Sequence, residues 1–283
     1  MTVAEPLIIE AGRAEAHYWR DLWRFRDLFY FLAWRDLLVR YKQTAIGVAW
    51  ALLRPLLTMV IFVVIFTKVA KLPTDGLPAA IFMLGGMLPW QFFSTALSES
   101  SSSLITNANL ITKIYFPRII VPASSVIVAL VDFLITLILL AVVMLWYSFQ
   151  PEHYVPSWRL LLLPVFICLS LVAAMGPGLI VTTLNVKFRD FRYVIPFVVQ
   201  FGIYVSPVGY SSSMIGERFG ETARLIYSLN PVVGVIDGFR WCLGGSASLD
   251  PLSFSLSSAL SLLLLYLGVR YFRKMEKSFA DVI

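Results

Sequence analysis

Long apolar runs alternate with short polar stretches along this chain, and the lengths of the runs set its architecture. Apolar segments near 47–67, 79–97, 119–147, 159–182, 193–208 and 252–269 predict six helices. Several approach or exceed the roughly 20 residues a helix needs to cross a bilayer's hydrocarbon. The third run is the longest and is interrupted by Asp132. Pro55 in the first run, and Gly176-Pro177-Gly178 in the fourth, are breaks that membrane helices tolerate.

Two regions follow other patterns. Over 18–42, Tyr18, Trp19, Leu22, Trp23, Phe25, Phe29, Tyr30 and Trp34 fall on one half of a helical wheel. Arg20, Asp21, Arg24, Asp27 and Arg35 fall on the other half. This predicts an amphipathic helix lying in the headgroup plane, with Arg26 snorkelling from the aromatic arc. A soluble helix packed on a partner protein has the same pattern. Residues 209–251 hold apolar pieces too short to cross, and Asn230-Pro231 is a helix start, a cap followed by proline at the first helical position. The region reads as one or two re-entrant helices before the last span. The fold class is therefore all-α integral membrane: an N-terminal tail and interfacial helix over 1–44, then a six-span domain over 45–283.

Composition agrees. Hydrophobic residues make up 59% of the 283 and charged residues 14%, against about 25% charged in a soluble domain. The net charge of +6 suits basic loops at lipid headgroups better than nucleic acid. With both termini in the cytoplasm, inside segments carry sixteen Lys and Arg and outside segments six, the expected bias. The first residues contain no apolar signal-peptide core.

Catalytic patterns are missing from the sequence. It contains no G-x-x-x-x-G-K-[ST] phosphate loop and no H-E-x-x-H, and its two histidines, His17 and His153, lie far apart outside the predicted spans. Asp132 is the clear ionisable group at mid-membrane, where such groups pair or serve a pathway. It reads either as a packing residue facing the bundle interior or as part of a conduit. Arg54, early in the first span, reads as a snorkelling residue, a conduit residue or a partner for Asp132. Trp50, Trp90, Tyr204 and Tyr210 are candidate sugar contacts, although aromatic residues at span ends are also ordinary interface anchors.

Arg35-Asp36-Leu37-Leu38-Val39-Arg40-Tyr41-Lys42-Gln43-Thr44, followed by Gly47, Trp50, Arg54 and Pro55, resembles the opening signature of type-2 ABC exporter permeases. The resemblance is to the polysaccharide and polyol-phosphate exporters, such as O-antigen, capsule and teichoic acid permeases (Wzm-like or TarG-like). Asn109-Leu110-Ile111-Thr112-Lys113-Ile114-Tyr115-Phe116-Pro117-Arg118 resembles the loop after the second span. Asn185-Val186-Lys187-Phe188-Arg189-Asp190 and Ser206-Pro207-Val208-Gly209-Tyr210, with Asn230-Pro231, resemble later family stretches in the right order. The chain departs from the pattern at Arg54, where members often carry Gln.

The resemblance implies a homodimer in the bacterial inner membrane that binds two copies of a separate ATPase subunit. ATP and Mg belong to that partner, and this chain holds no cofactor or metal. It implies a coupling loop over 98–118, with Asn107, Asn109, Leu110, Lys113, Phe116 and Arg118 at the ATPase. Arg35, Tyr41, Lys42 and Gln43 would form a second contact. The re-entrant region, including Asn230, would act as an outer gate, and Trp50, Arg54, Trp90, Asp132, Tyr204 and Tyr210 as conduit or gate residues. The expected cargo is a lipid-linked polysaccharide, with teichoic acid or another lipid or drug as the near alternative. A carboxylate-based membrane glycosyltransferase is the alternative of a different class.

Overall fold

The structure is a computed structural model describing residues 18–42, 47–150, 154–188, 190–246 and 248–279. Their regular elements are all helices, with no strand among the described residues. Two short elements come first, α1 (Tyr18–Arg24) and α2 (Arg26–Lys42). α3 (Gly47–Phe62) continues as a π-helix, Val63–Val69. α4 (Ala79–Thr106), α5 (Ala108–Lys113) and α6 (Ile120–Ser148) follow. Then come a 3-10 turn, Trp158–Leu162, leading into α7 (Leu163–Lys187), and α8 (Phe191–Val205). The chain finishes with α9 (Ser213–Phe219), α10 (Glu221–Tyr227), α11 (Pro231–Leu243) and α12 (Pro251–Met275).

Among the described residues, five helices are long and apolar enough to cross a membrane: Ala49–Val69, Ala79–Thr106, Ile120–Ser148, Trp158–Lys187 and Pro251–Ser278. The protein is thus an all-α, multi-pass membrane protein. The predicted fifth span, 193–208, corresponds to α8, which has 15 residues. At 1.5 Å per residue it reaches ~22 Å, short of the ~30 Å core.

α4 is the central post. Residues 81–90 are all buried, and α6, α7, α11, α3 and α8 pack around it. Phe92 and Phe133 meet at 5.3 Å, and Phe133 and Phe239 at 5.9 Å, joining α4, α6 and α11 through aromatic contacts. α7 and α12 meet through small residues, as membrane helices do where packing rather than water drives association. A Cβ on Gly176 would lie 2.6 Å from the Leu264 carbonyl carbon, and one on Gly268 would lie 2.5 Å from the Gly176 oxygen.

The polar stretch after the second apolar run differs from its predicted loop form. Residues 98–106 continue α4 as helix, and Ser100, Ser101 and Ser103 are buried. Their hydroxyls bond back to carbonyls one turn earlier, Ser101 to Ser98 at 2.6 Å and Ser103 to Ser100 at 2.6 Å. The Thr182 hydroxyl and the Asn185 amide of α7 donate across to Ser100 and Ser101 carbonyls, each at 2.8 Å. Small hydroxyls satisfied within the helix let α4 and α7 approach closely, which a polarity profile cannot reveal.

The predicted 18–42 helix also differs. It breaks between Arg24 and Arg26, and its aromatic arc divides. Tyr18, Leu22, Phe25, Phe29 and Leu32 pack on a second apolar cluster with Leu104, Ile111, Phe116, Leu179 and Phe272. Trp19, Trp23, Tyr30 and Trp34 stay exposed. The described residues of 209–251 form three short helices, α9 to α11, rather than one or two.

Candidate functional site

A cavity of about 360 Å³ opens among the end of α2, α3, α4 and α6. The spacings place its lining on single helix faces. α3 gives Trp50, Ala51 and Arg54, α4 gives Leu88, Gln91, Phe92, Thr95 and Glu99, and α6 gives Ala129, Asp132, Phe133 and Thr136. Arg40 and Tyr41 complete the wall. The volume lies within the range of small-molecule sites.

Arg40 joins three elements. One terminal nitrogen donates to Asp132 on α6 and the other to Glu99 on α4. The Tyr41 hydroxyl donates to the second Asp132 oxygen. Charged hydrogen bonds of this kind are the strong ones. The predicted Arg54–Asp132 pair does not form, because Asp132 is engaged by α2. Arg54 nonetheless lines the same cavity, as does Trp50, which is 55% exposed. Arg40 and Glu99 are site residues that sequence reasoning passed over. A lone carboxylate amid the serines of 98–103 was the available signal.

The two predicted coupling regions meet. Arg35 donates to the Asn107 side-chain oxygen at 2.8 Å and pairs with Asp36. The Asn107 amide donates to the Ser103 carbonyl at 2.9 Å, so this residue pins the junction of α4 and α5. Beyond it, Asn109, Thr112, Lys113, Ile114 and Tyr115 are exposed and Leu110 is half-buried. Phe116 is buried at 3%. Arg118 donates to the Glu276 carbonyl, and its backbone N–H donates to the Glu276 carboxylate. These last two residues anchor the exposed tip instead of forming it. Lys42 is exposed at the end of α2, and Gln43 lies outside the described residues.

At the opposite end, the Ser206–Tyr210 turn is fixed by a buried arginine. Arg240 is 2% exposed. It donates to the carbonyls of Val208 at 2.7 Å and Tyr210 at 2.8 Å, and its guanidinium lies 3.7 Å from the centre of the Phe82 ring. Only glycine fits beneath it: a Cβ on Gly86 would lie 2.6 Å from both the guanidinium and the Val208 oxygen. Asn230 caps α11 as predicted, accepting from Val232 N–H at 3.0 Å, and its amide donates to Ser206 at 3.0 Å. Tyr210 and Tyr227 share a hydroxyl hydrogen bond of 3.0 Å, and the Tyr210 hydroxyl donates to the carbonyl of the exposed Tyr204 at 3.1 Å. Trp90 is buried, its ring filling the space at Gly202 on α8, where a Cβ would lie 2.4 Å away. Tyr154 donates to the Leu243 carbonyl, and burial pushes its hydroxyl up to about 12. Asp250 caps α12 through Ser253 N–H at 2.9 Å, and hydrogen bonding from the Ser253 side chain, reinforced by that backbone bond and by Arg224, holds its carboxyl below the usual carboxylate range.

The protein is thus a multi-pass membrane helix bundle with a charge-lined cavity between its helices. The ABC-2 type transporter family model matches residues 27–243, and the chain belongs to that family as a non-catalytic permease subunit. Its relatives include the O-antigen export system permease protein RfbA of Myxococcus xanthus, 29% identical over 265 residues, or 93% of this chain and 98% of that one. The RfbA permease of Klebsiella pneumoniae is 29% identical over 258 residues, covering 91% and 95%. The polysialic acid transport protein KpsM of Escherichia coli is 22% identical over 245 residues, covering 86% and 92%.

Proposed function

We propose that this chain is the transmembrane subunit of an ATP-driven exporter that moves a lipid-linked polysaccharide of O-antigen type across the bacterial inner membrane. The observation that carries the reading is the match to O-antigen export permeases over more than nine-tenths of both chains. In this reading two copies of the chain bind two copies of an ATPase subunit, which supplies ATP and Mg chemistry. α8 is a short sixth span, and both termini lie in the cytoplasm with α5. Asn109, Leu110, Lys113 and the exposed Ile114–Tyr115 tip dock in the ATPase, with Arg35, Tyr41, Lys42 and Gln43 as the adjoining contact. The α9–α11 region, with Asn230 and Tyr210, forms the outer gate. In this reading the second copy packs on the apolar face of α3, its π-helical continuation and α8, where Leu57, Val64, Phe197 and Phe201 are exposed.

The test is to reconstitute the chain with and without the ATPase encoded beside it and follow export of a lipid-linked glycan. Export that needs the partner and ATP is the expected result, and export by this chain alone would refute it. Replacing Asn107–Lys113 with alanines should abolish coupling while leaving insertion intact.

A further inference from the structure

We infer that the 3-10 turn after α12, Glu276–Ser278, is a positioning element for ATP-driven transport. Glu276 clamps the exit of the α5 elbow, so that the elbow and the adjoining ends of α6 and α12 move as one body. The inference rests on the export reading, which sets the elbow against an ATPase.

α5 has six residues, too few to hold a helix on its own. What fixes it must lie at its two ends. At the entry, Asn107 is tied to Arg35 and to the Ser103 carbonyl. At the exit, the backbone turns extended at Ile114, and Phe116 drops into the apolar cluster that also holds Phe272 and Phe279. Those two rings meet edge to face at 5.2 Å, and each is at most 1% exposed. Between the two anchors Thr112, Lys113, Ile114 and Tyr115 stay exposed. The elbow is therefore suspended between α2 and the turn after α12.

The bonds at the exit are reciprocal. The Glu276 carboxylate accepts the Arg118 N–H just before α6, and the Arg118 guanidinium donates to the Glu276 carbonyl as α12 ends. Each charge stands at the helix end whose dipole it complements, an acid at the start of α6 and a base at the end of α12. Along their lengths α12 packs mainly on α7 and α11, and α6 mainly on α4 and α2, so this exchange joins two helices that otherwise meet different neighbours. The same carboxylate reaches α1. The Tyr18 hydroxyl is buried beside it, and the Arg273 guanidinium lies 4.4 Å from the centre of the Tyr18 ring. A force on the elbow is thus delivered at one residue to α1, to α12 and to α6, the helix that carries Asp132. Glu276 touches neither nucleotide nor cargo in this arrangement, so its part is positional.

The full chain, reconstituted in proteoliposomes with the ATPase encoded beside it, is compared with E276A, E276Q and R118A. Assembly and the KM for ATP should stay within about 2-fold of the parent, while kcat and export should fall about 10-fold in E276A, as for the loss of one charge-assisted hydrogen bond. E276Q keeps an acceptor for the Arg118 N–H and should retain most of the rate. R118A/E276A should be no slower than the worse single variant, because the two residues form one clamp. A parental kcat in E276A, a loss confined to assembly, or strictly additive losses overturns the inference. If E276A does not insert, spin labels on T112C and K274C, with the clamp intact and in a C168S background, give the second measurement. Their separation should be the same in nucleotide-free and ATP-bound complexes, and a change of more than about 5 Å, one helical turn, overturns the inference. Failure of the export reading is seen separately, as a wild-type chain that neither assembles with the ATPase nor raises its turnover.

Discussion

Removing Arg40 strands two carboxylates, and the size of the effect follows from its contacts. Arg40→Ala deletes two charge-assisted hydrogen bonds, one to Glu99 and one to Asp132. Each is worth about 1.5–3 kcal/mol when buried, which sets an upper bound near 6 kcal/mol. The three side chains are only partly buried, 31%, 28% and 25% exposed, so the loss should be roughly half of that bound, about 2–3 kcal/mol. Most of that is the cost of leaving charges unpaired rather than of losing attraction. The triple variant R40A/E99Q/D132N should therefore regain at least half of what R40A loses, and D132N alone should cost only about 1 kcal/mol. The assay is thermal unfolding in detergent read by a thiol-reactive dye on Cys242, which is buried, in a Cys168→Ser background because Cys168 is exposed. R40A should melt about 4–8 °C below the parent. A drop under 1 °C, or a triple variant less stable than R40A, would refute the reasoning.

Other outcomes follow from particular contacts. Arg240→Met removes the donors to the Val208 and Tyr210 carbonyls, at about 1–3 kcal/mol for each; trypsin cleavage after the exposed Arg218 should quicken by at least about 10-fold, and an unchanged rate would show that Arg240 does not hold the segment that follows Tyr210. Gly176→Val drives a side chain into the Leu264 backbone, so melting in detergent should show a loss of about 1–3 kcal/mol. Because Arg35 and Asn107 share one hydrogen bond, R35A and N107A should lower ATPase stimulation in the reconstituted complex non-additively; strictly additive losses would show that the bond carries no coupling.

Hydropathy determined the membrane class and the order of the long apolar helices, and residue type marked the Asn230 cap. A water-free core admits only helices that satisfy their own backbone, so run length is nearly sufficient evidence. Thus 119–147 became Ile120–Ser148, and Asn230 caps α11 as its sequence suggests. Polar residues inside helices were less legible, since their role depends on what another helix brings. The serines of 98–103 looked like a loop yet belong to the most buried helix, because α7 supplies small and polar partners. Asp132 was visible as an anomaly, but its partner lay 92 positions away in a helix read as interfacial and as a contact for a partner protein. Arg240 gave no signal beyond a charge in an apolar stretch, and only the folded structure gives it three carbonyls to hold, two from the Ser206–Tyr210 turn and that of Phe82 on α4. Tertiary structure therefore decided which charges pair, which glycines are contacts and where a cavity opens, because these depend on distances between helices that no local pattern encodes.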